Sequence, residues 1–491
     1  MDRENIKSAA FSGGMWKFLE RIIAEGVTLI VSLVIARILS PSDYGVVSLV
    51  TIFFTFANVL ISGGLNTALI QNKNSGEEDY NTVFTVSIIV ALLLYLLMYF
   101  FAPIIALKYG QEILCKIIRV MGLSLPVYAL KSIVCAYISS NLLFKKFFFA
   151  TLGGTLCSAV IGITMAYSGF GPWALVAQQL TNTIIDTIIL FFSTGLRLKL
   201  FISVSRFKRL FGYGWKIMVS SFISTLYSQI NPLFVGIKYS SADLSFYSKG
   251  QSFPIVLSSS ITNTLSSVLF PVLARFQNDR DKLLRYTRLF MRVASYVVFP
   301  AMLGFFAIAD NFISALLTDK WIQASFYIRI FCVSYMFDVV AIGNCETIKA
   351  MGRSDVFLKL ELLKKSCYFI VIAIFLFFSG SPEQLAYSAL ICTAIQVLIN
   401  SLPNKKLLNY TLAMQIKDLF PNLLISIIMC VSVIWLGEFI NASPVVNIFV
   451  QVIFGGIVYL ILSLVTKNSS FVYLYNLLKQ KLGEHNSRRK K

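Results

Sequence analysis

About fourteen apolar segments, each roughly twenty residues long, dominate this sequence. The chain has 491 residues, of which 57% are hydrophobic and 13% charged, which is more apolar surface than a soluble fold can bury. Backbone N–H and C=O groups find no partner in lipid, so only helices or a closed barrel span a membrane. The segments do not alternate apolar and polar residues with period two, which favours helices. The sequence therefore predicts an all-α integral membrane protein.

The predicted helices are separated by short connections rich in Gly, Pro, Asn, Asp and Ser, and none of these connections can hold a soluble domain. The helices span residues 14–38, 45–70, 82–107, 113–141, 148–168, 172–194, 214–237, 247–273, 287–316, 323–350, 357–379, 384–408, 418–440 and 445–466.

An internal repeat organises these helices. Residues 14–17 (GMWK) return at 214–216 (GWK), and the turn at 39–45 (LSPSDYG) returns at 239–245 (YSSADLS). Tandem repeats of this kind are typical of transporters. We therefore expect two pseudo-symmetric six-helix lobes and an appended helix pair. The predicted limits are 1–194 for the first lobe, 195–213 for a cytoplasmic linker, 214–408 for the second lobe, 409–466 for helices 13 and 14, and 467–491 for a basic tail.

The net charge of +20 has a topological explanation. Lys and Arg concentrate in the connections that follow even-numbered helices, which predicts cytoplasmic placement of both termini and of the 195–213 linker. Because no separate basic domain exists, nucleic acid is not an expected partner. Residues 72–81 are the exception, since they hold Glu77, Glu78 and Asp79 with only Lys73. The first apolar run is too long and too charged for a cleavable signal peptide, so we expect it to be retained.

Residue types needed for covalent chemistry are scarce. The eight cysteines lie in or beside apolar runs without metal-ligand spacing, and the single histidine, His485, lies in the basic tail. No GxxxxGK[ST] loop is present to bind ATP phosphates. We expect no metal, no cofactor and no enzymatic activity.

Polar residues inside the first helix point to a cavity. Lys17, Arg21, Glu25, Thr28 and Ser32 recur every three or four residues and therefore share one face. Ionisable side chains at membrane depth are costly unless they face water or a partner. The alternative is that Arg21 and Glu25 neutralise each other as a closed structural pair, and that Lys17 reaches the membrane surface.

Further intramembrane candidates lie in other helices. Those expected to line a cavity are Lys131 in helix 4, Gln178 and Asn182 in helix 6, and Lys216 and Asn231 in helix 7. Asp186 and Asp338 are buried-charge candidates in helices 6 and 10. Each also has a structural interpretation: Lys131 as partner of a neighbouring carboxylate, the amides as ties between helices, and Lys216 as an anchor at the membrane surface.

The order of several short motifs resembles that of Wzx-type polysaccharide flippases of the MOP exporter superfamily, and is most similar to the colanic-acid and teichuronic-acid exporter branch. The motifs are GxW…ER at 14–21, ARILSPSDYG at 36–45, ALIQ at 68–71, GFGPWALVAQQ at 169–179, FP at 270–271 and KAMGRSD at 349–355.

The resemblance implies a bilobed, MATE-like bundle in the bacterial inner membrane. It implies a transporter of undecaprenyl-diphosphate-linked oligosaccharide for O-antigen, capsule, exopolysaccharide or lipopolysaccharide assembly, working with membrane lipids and other polysaccharide-assembly proteins. Arg21, with Lys131 or Lys216, would hold the diphosphate, while Glu25, Asp186 or Asp338 would form a proton or sodium site. The acids beside Arg21 depart from the family's cationic cavities. The alternatives are a small-molecule or cation antiporter of the same architecture and, from another class, a membrane polysaccharide polymerase.

Overall fold

The structure is a computed structural model, and it describes residues 26–72, 75–440, 442–476 and 479–480. Those residues form helices and contain no strand. The α-helices are α1 (Gly26–Ile38), α2 (Pro41–Ser62), α3 (Leu65–Gln71), α4 (Glu77–Lys108), α5 (Glu112–Gly122), α6 (Ser124–Ser140), α7 (Lys145–Tyr167), α8 (Trp173–Thr194), α9 (Val204–Lys238), α10 (Ser241–Ala274), α11 (Arg280–Ala307), α12 (Ala309–Leu316), α13 (Ala324–Met336), α14 (Asp338–Ala350), α15 (Ser354–Phe378), α16 (Pro382–Leu408), α17 (Leu412–Phe439) and α18 (Pro444–Val465), with a 3₁₀ helix at Asp319–Trp321.

Each predicted transmembrane helix has a counterpart, which confirms the all-α membrane fold. Four predicted helices are broken into two: the second at Gly63 and Gly64, the fourth at Leu123, the ninth at Ile308 and the tenth at Phe337. The glycine break has a clear cause, because both residues are left-handed, with φ of 51° and 65°. The other three breaks fall on apolar residues with negative φ, namely −60° at Leu123, −93° at Ile308 and −84° at Phe337.

Among the described residues, eleven helices or helix pairs are long and apolar enough to cross a membrane, so this is a multi-pass membrane protein. Three of the predicted fourteen fall outside this group. The described part of α1 is short, and α15 carries too many charges, including Glu361, Lys364 and Lys365. Helix α9 has no charged residue between Lys216 and Lys238, but Ser, Thr, Gln and Asn residues make this stretch less apolar than the eleven others.

Contacts group the chain into two compact units, Met1–Ser245 and Phe246–Lys491. The first unit includes the 195–213 segment and α9, because α9 packs along α2. Gly64 and Gly214 bring the two backbones together, and Phe56 lies 5.6 Å from Phe222 between ring centroids. The first unit thus extends past the predicted linker to the start of α10.

The linker is tied to the first turns of α4. Its backbone N–H groups donate to α4 side chains, Lys199 to Asn81 at 2.9 Å and Phe201 to Thr85 at 3.0 Å. An extended segment that lacks a neighbouring strand needs such acceptors for its buried N–H groups. The linker therefore runs along α4 and is bound to it, and we call residues 195–213 the linker strap.

Ion pairs fix the end of this strap. The Asp79 carboxylate is fully buried, and it accepts from Arg206 Nη1 at 3.1 Å and Arg209 Nη2 at 2.7 Å. It also accepts from the Gly76 N–H at 3.0 Å, at the start of α4. Residues 72–81, the one acidic connection among those expected to be basic, thus supply the carboxylates that pair with the basic linker.

In the second unit, α17 is joined to α11 by a bidentate ion pair. Arg288 Nε and Nη2 donate to Asp418 at 2.7 and 2.8 Å, and Tyr410 donates to the same carboxylate at 2.9 Å. On α18, Tyr459 donates to the Tyr296 carbonyl of α11 at 2.8 Å. The C-terminal helix pair is thus fastened to α11 by polar contacts as well as by apolar packing.

Candidate functional site

The first unit contains a polar cavity of about 260 Å³. Helices α1, α2, α7 and α8 line it, mostly with hydroxyl and amide groups. The lining residues are Thr28, Val31, Ser32, Tyr44, Thr155, Ser158, Leu175, Gln178, Gln179 and Asn182. Thr28 and Ser32 belong to the predicted polar face of helix 1. Lys17, Arg21 and Glu25, which continue that face, lie outside the described residues.

Helix α8 supplies the longest polar side chains of the cavity wall. Gln178, Asn182 and Asp186 recur every fourth residue and therefore lie on one face. Glycines on α7 make room for that face. A Cβ on Gly154 would lie 2.9 Å from both the Asn182 Oδ1 and the Asp186 Cβ, and one on Gly162 would lie 3.0 Å from the Gln178 Cβ. The polar face of α8 thus depends on two positions of α7 without a side chain.

An intramembrane ion pair lies one turn beyond this cavity. Lys131 Nζ of α6 lies 2.5 Å from Asp186 Oδ2 of α8. The Asp186 side chain is 8% exposed and that of Lys131 29%. The other carboxylate oxygen, Asp186 Oδ1, is buried and has no hydrogen-bond partner in the described part of the chain. The two residues predicted separately as a diphosphate ligand and an ion site are thus each other's partner.

The two repeated turns meet in a reciprocal contact. Ser40 and Asp43 form a capping box, and Ser240 and Asp243 form the same hydrogen bonds two hundred positions later.

Across the contact, Ser245 Oγ donates to the Pro41 carbonyl at 2.7 Å. At the equivalent position of the first turn, a Cβ on Gly45 would overlap the Ser241 carbonyl oxygen. Gly45 therefore contacts Ser241, and its equivalent in the repeat, Ser245, contacts Pro41. Such a reciprocal pair of contacts is the pattern of a two-fold contact.

The second unit has a half-buried carboxylate of its own, within a membrane-spanning helix pair. The break after Phe337 makes Asp338 the first residue of α14, where its side chain accepts from Ser258 Oγ and Gln396 Nε2, both at 3.4 Å. Tyr368 in turn donates to Gln396 Oε1 at 2.9 Å. No lysine or arginine of the described ranges is ion-paired with Asp338, which sets it apart from Asp186.

The sequence of this chain matches a known protein family. The model of the family described as polysaccharide biosynthesis protein matches residues 34–326, which is more than half of the chain. The chain belongs to this family.

Relatives in the polysaccharide biosynthesis protein family include named transporters. The succinoglycan biosynthesis transport protein ExoT of Rhizobium meliloti is 24% identical over 310 residues, 63% of each chain, so the match spans just under two thirds of that relative. The lipopolysaccharide biosynthesis protein WzxC of Escherichia coli is 21% identical over 75% of this chain and 76% of its own. These relatives confirm the resemblance to polysaccharide exporters.

A solved structure shares the fold. The lipid II flippase MurJ in an inward closed conformation superposes with a TM-score of 0.71 at 18% identity, covering 93% of this chain and 98% of its own. At this identity the likeness concerns the fold. It confirms the predicted all-α, multi-pass membrane fold of this polysaccharide biosynthesis protein.

The remaining candidates occupy α9. Lys216 is exposed and Asn231 is half-buried one residue before Pro232. Their predicted roles in the cavity stay predictions.

Sequence reasoning missed the residues that surround Asp338 in this family member. Ser258 and Gln396 lie on helices distant in sequence, and single polar residues in apolar runs gave no spacing signal. It also missed Asp79, whose acidic run was the only hint of a partner on the basic linker.

Proposed function

We propose that this protein is a flippase that moves undecaprenyl-diphosphate-linked oligosaccharide across the bacterial inner membrane for surface polysaccharide assembly. The polar cavity and the adjacent ion pair within the spanning helices support the proposal. Diphosphate and sugar hydroxyls cannot cross hydrocarbon unaided, whereas a polyprenyl tail is at home in lipid. Membership of the polysaccharide biosynthesis protein family and the transport role in the name of ExoT point the same way.

Alternating access is the mechanism that we infer for this transport. Lys and Arg follow the even-numbered helices, so both termini are assigned to the cytoplasm and the two repeated turns to the outer side. The reciprocal contact of Gly45 with Ser241 and of Ser245 with Pro41 then closes the outer side. Outward release requires these turns to part, and the substrate shifts the balance between the two states by its differential affinity.

The process needs no covalent chemistry and, in this proposal, no cofactor. Arg21 remains the proposed ligand of the diphosphate, and Gln178 and Asn182 the proposed ligands of sugar hydroxyls. Asp338 is the proposed site of a coupling proton or sodium ion, because a half-buried carboxylate that no described lysine or arginine pairs with is stabilised by either. Glu25 remains a second proposed site by its position in the sequence. The partners would be the lipid-linked oligosaccharide, membrane lipids and other polysaccharide-assembly proteins.

Deletion of the gene should abolish the surface polysaccharide and cause lipid-linked oligosaccharide to accumulate in the cytoplasmic leaflet. Wild-type protein should restore the polymer. An Arg21→Gln variant should restore less than about a tenth of it, because removal of the guanidinium costs one strong charge-assisted contact. The measurements are polymer quantification and mass spectrometry of the lipid fraction.

A matched control is Lys116→Gln, which neutralises an exposed cation of the same unit and should behave as wild type. Normal polysaccharide with altered drug resistance would favour the small-molecule antiporter. Single repeat units accumulating on the outer leaflet would favour a polymerase.

A further inference from the structure

The Lys131–Asp186 pair is unevenly built. Lys131 has a side chain 29% exposed, and Asp186 is held at 8%. Asp186 Oδ2 is bound to the ammonium, but Oδ1 is buried without a hydrogen-bond partner among the described residues. Ion pairs that serve structure alone usually satisfy the remaining lone pairs with further donors. Here a partly exposed lysine is bound to one oxygen of a buried carboxylate whose other oxygen has no described partner.

Among the described residues, Lys131 is the only cation that pairs with Asp186. On α8, Asp186 is the only charged residue, and on α7 the charges are confined to Lys145 and Lys146 at its start. On α6 the other titratable groups are Tyr128, which lies near Lys131, and two residues that carry no charge at neutral pH, Cys135 and Tyr137.

No third charged group in the described ranges forms an ion pair with Lys131 or Asp186. From α2, the Tyr44 hydroxyl donates to the Ser32 carbonyl at 3.1 Å. From α5, the Arg119 guanidinium lies over the Tyr99 ring at 4.2 Å. In the described part of the chain Asp186 therefore has one counter-ion, and the cavity at Asn182 lies one helical turn away.

We propose that Lys131 is a reserve cation: Asp186 holds it while the cavity is empty, and a diphosphate group draws it away, whereupon Asp186 takes up a proton. This proposal rests on the flippase function above and adds to it the residue that senses the diphosphate. In this step the ammonium leaves the carboxylate and pairs with the diphosphate, and Asp186 takes one proton from water and becomes neutral. A carboxylate left alone at this depth would be strongly disfavoured, so anion binding and proton uptake are linked.

The geometry fits such an exchange. A lysine side chain is long and flexible, and it carries a point charge with three donors, which suits phosphate oxygens. Asp186 is short, and its backbone is fixed by the packing of α8 against Gly154. The moving partner is therefore the lysine, and the carboxylate stays in place to receive the proton.

The test measures binding of farnesyl diphosphate to the purified full-length protein in nanodiscs, with farnesol as the uncharged matched ligand. Lys131→Gln should weaken binding of the diphosphate on the order of tenfold, the size of one charge-assisted hydrogen bond. Asp186→Asn should leave affinity unchanged or raise it several-fold, because the anion no longer competes with the carboxylate for the ammonium. Lys116→Gln is the control and should match wild type.

A merely structural pair predicts a different pattern, in which both variants lose affinity alike, and that result would overturn the proposal. If Asp186→Asn fails to fold, as judged by thermal melting, wild-type protein labelled with ¹³C-aspartate decides. Its infrared difference spectrum on adding farnesyl diphosphate should gain the isotope-shifted carbonyl band of a protonated carboxyl group, and an Asp338→Asn variant should gain the same band. Absence of that band contradicts the exchange.

These outcomes separate the inference from the proposed function. Wild-type protein that binds farnesyl diphosphate no better than farnesol would argue against a diphosphate-carrying substrate altogether. Wild-type preference for the diphosphate that survives Lys131→Gln would leave the flippase standing and remove Lys131 from its binding site.

Discussion

A Gly45→Val variant should insert into the membrane and yet fail to support surface polysaccharide. The valine side chain would occupy the space of the Ser241 carbonyl oxygen, and backbone atoms on both sides leave no flexible group to yield. Overpacking typically costs about 1–3 kcal/mol, and a clash with a backbone carbonyl lies at the upper end of this range. Because about 1.4 kcal/mol changes an equilibrium tenfold, the state in which the turns touch would lose up to roughly a hundredfold in population.

The measurement is polymer level at matched protein abundance in the membrane fraction. Gly456→Val in α18 is the control, since a Cβ there meets nothing within 4 Å, and it should retain wild-type transport. Polysaccharide at the wild-type level in the Gly45→Val strain would mean that contact between the two turns is not needed for the transport cycle.

Asp79→Ala should destabilise the protein by about 3 kcal/mol, because removal of one partner of a buried ion pair leaves the other charges uncompensated. Asp79 is fully buried and bridges Arg206, Arg209 and the N–H of Gly76. The estimate lies at the lower end of the usual range because both guanidinium groups are partly solvated. Thermal unfolding of the detergent-purified protein, followed by tryptophan fluorescence, measures the effect.

Glu78→Ala provides the matched comparison. Glu78 pairs with the same Arg206 at 2.6 Å, but its side chain is 58% exposed, so the loss should stay below about 1 kcal/mol. Equal destabilisation by the two variants would contradict the view that the buried carboxylate, rather than the net acidity of this segment, holds the linker strap.

Much of the fold follows from hydropathy, because the length of an apolar run in a membrane protein leaves few structures open. The breaks at Leu123, Ile308 and Phe337 do not follow, since each falls on an apolar residue with negative φ inside a long apolar run. The break at Phe337 matters most, because it places Asp338 at the start of a helix within reach of Ser258 and Gln396.

The sequence predicted which residues belong to the candidate site, but it did not predict which of them pair with each other. Charges inside apolar runs identified Lys131 and Asp186 individually, because lipid rejects unpaired charges. Their pairing depends on the rotation of α6 and α8 about their axes, which one sequence does not specify. The reciprocal turn contact was visible only as a repeat, and its geometry depends on how the two copies face each other.

Flipping itself is the most direct test of the account. Purified protein is reconstituted into liposomes that contain a lipid-linked oligosaccharide with a fluorescent sugar, and a membrane-impermeant glycosidase is added outside. Protein-free vesicles should expose about half of the label, the share of the outer leaflet, whereas vesicles with wild-type protein should approach complete cleavage. Cleavage that stops at about half with wild-type protein would contradict the proposed transport.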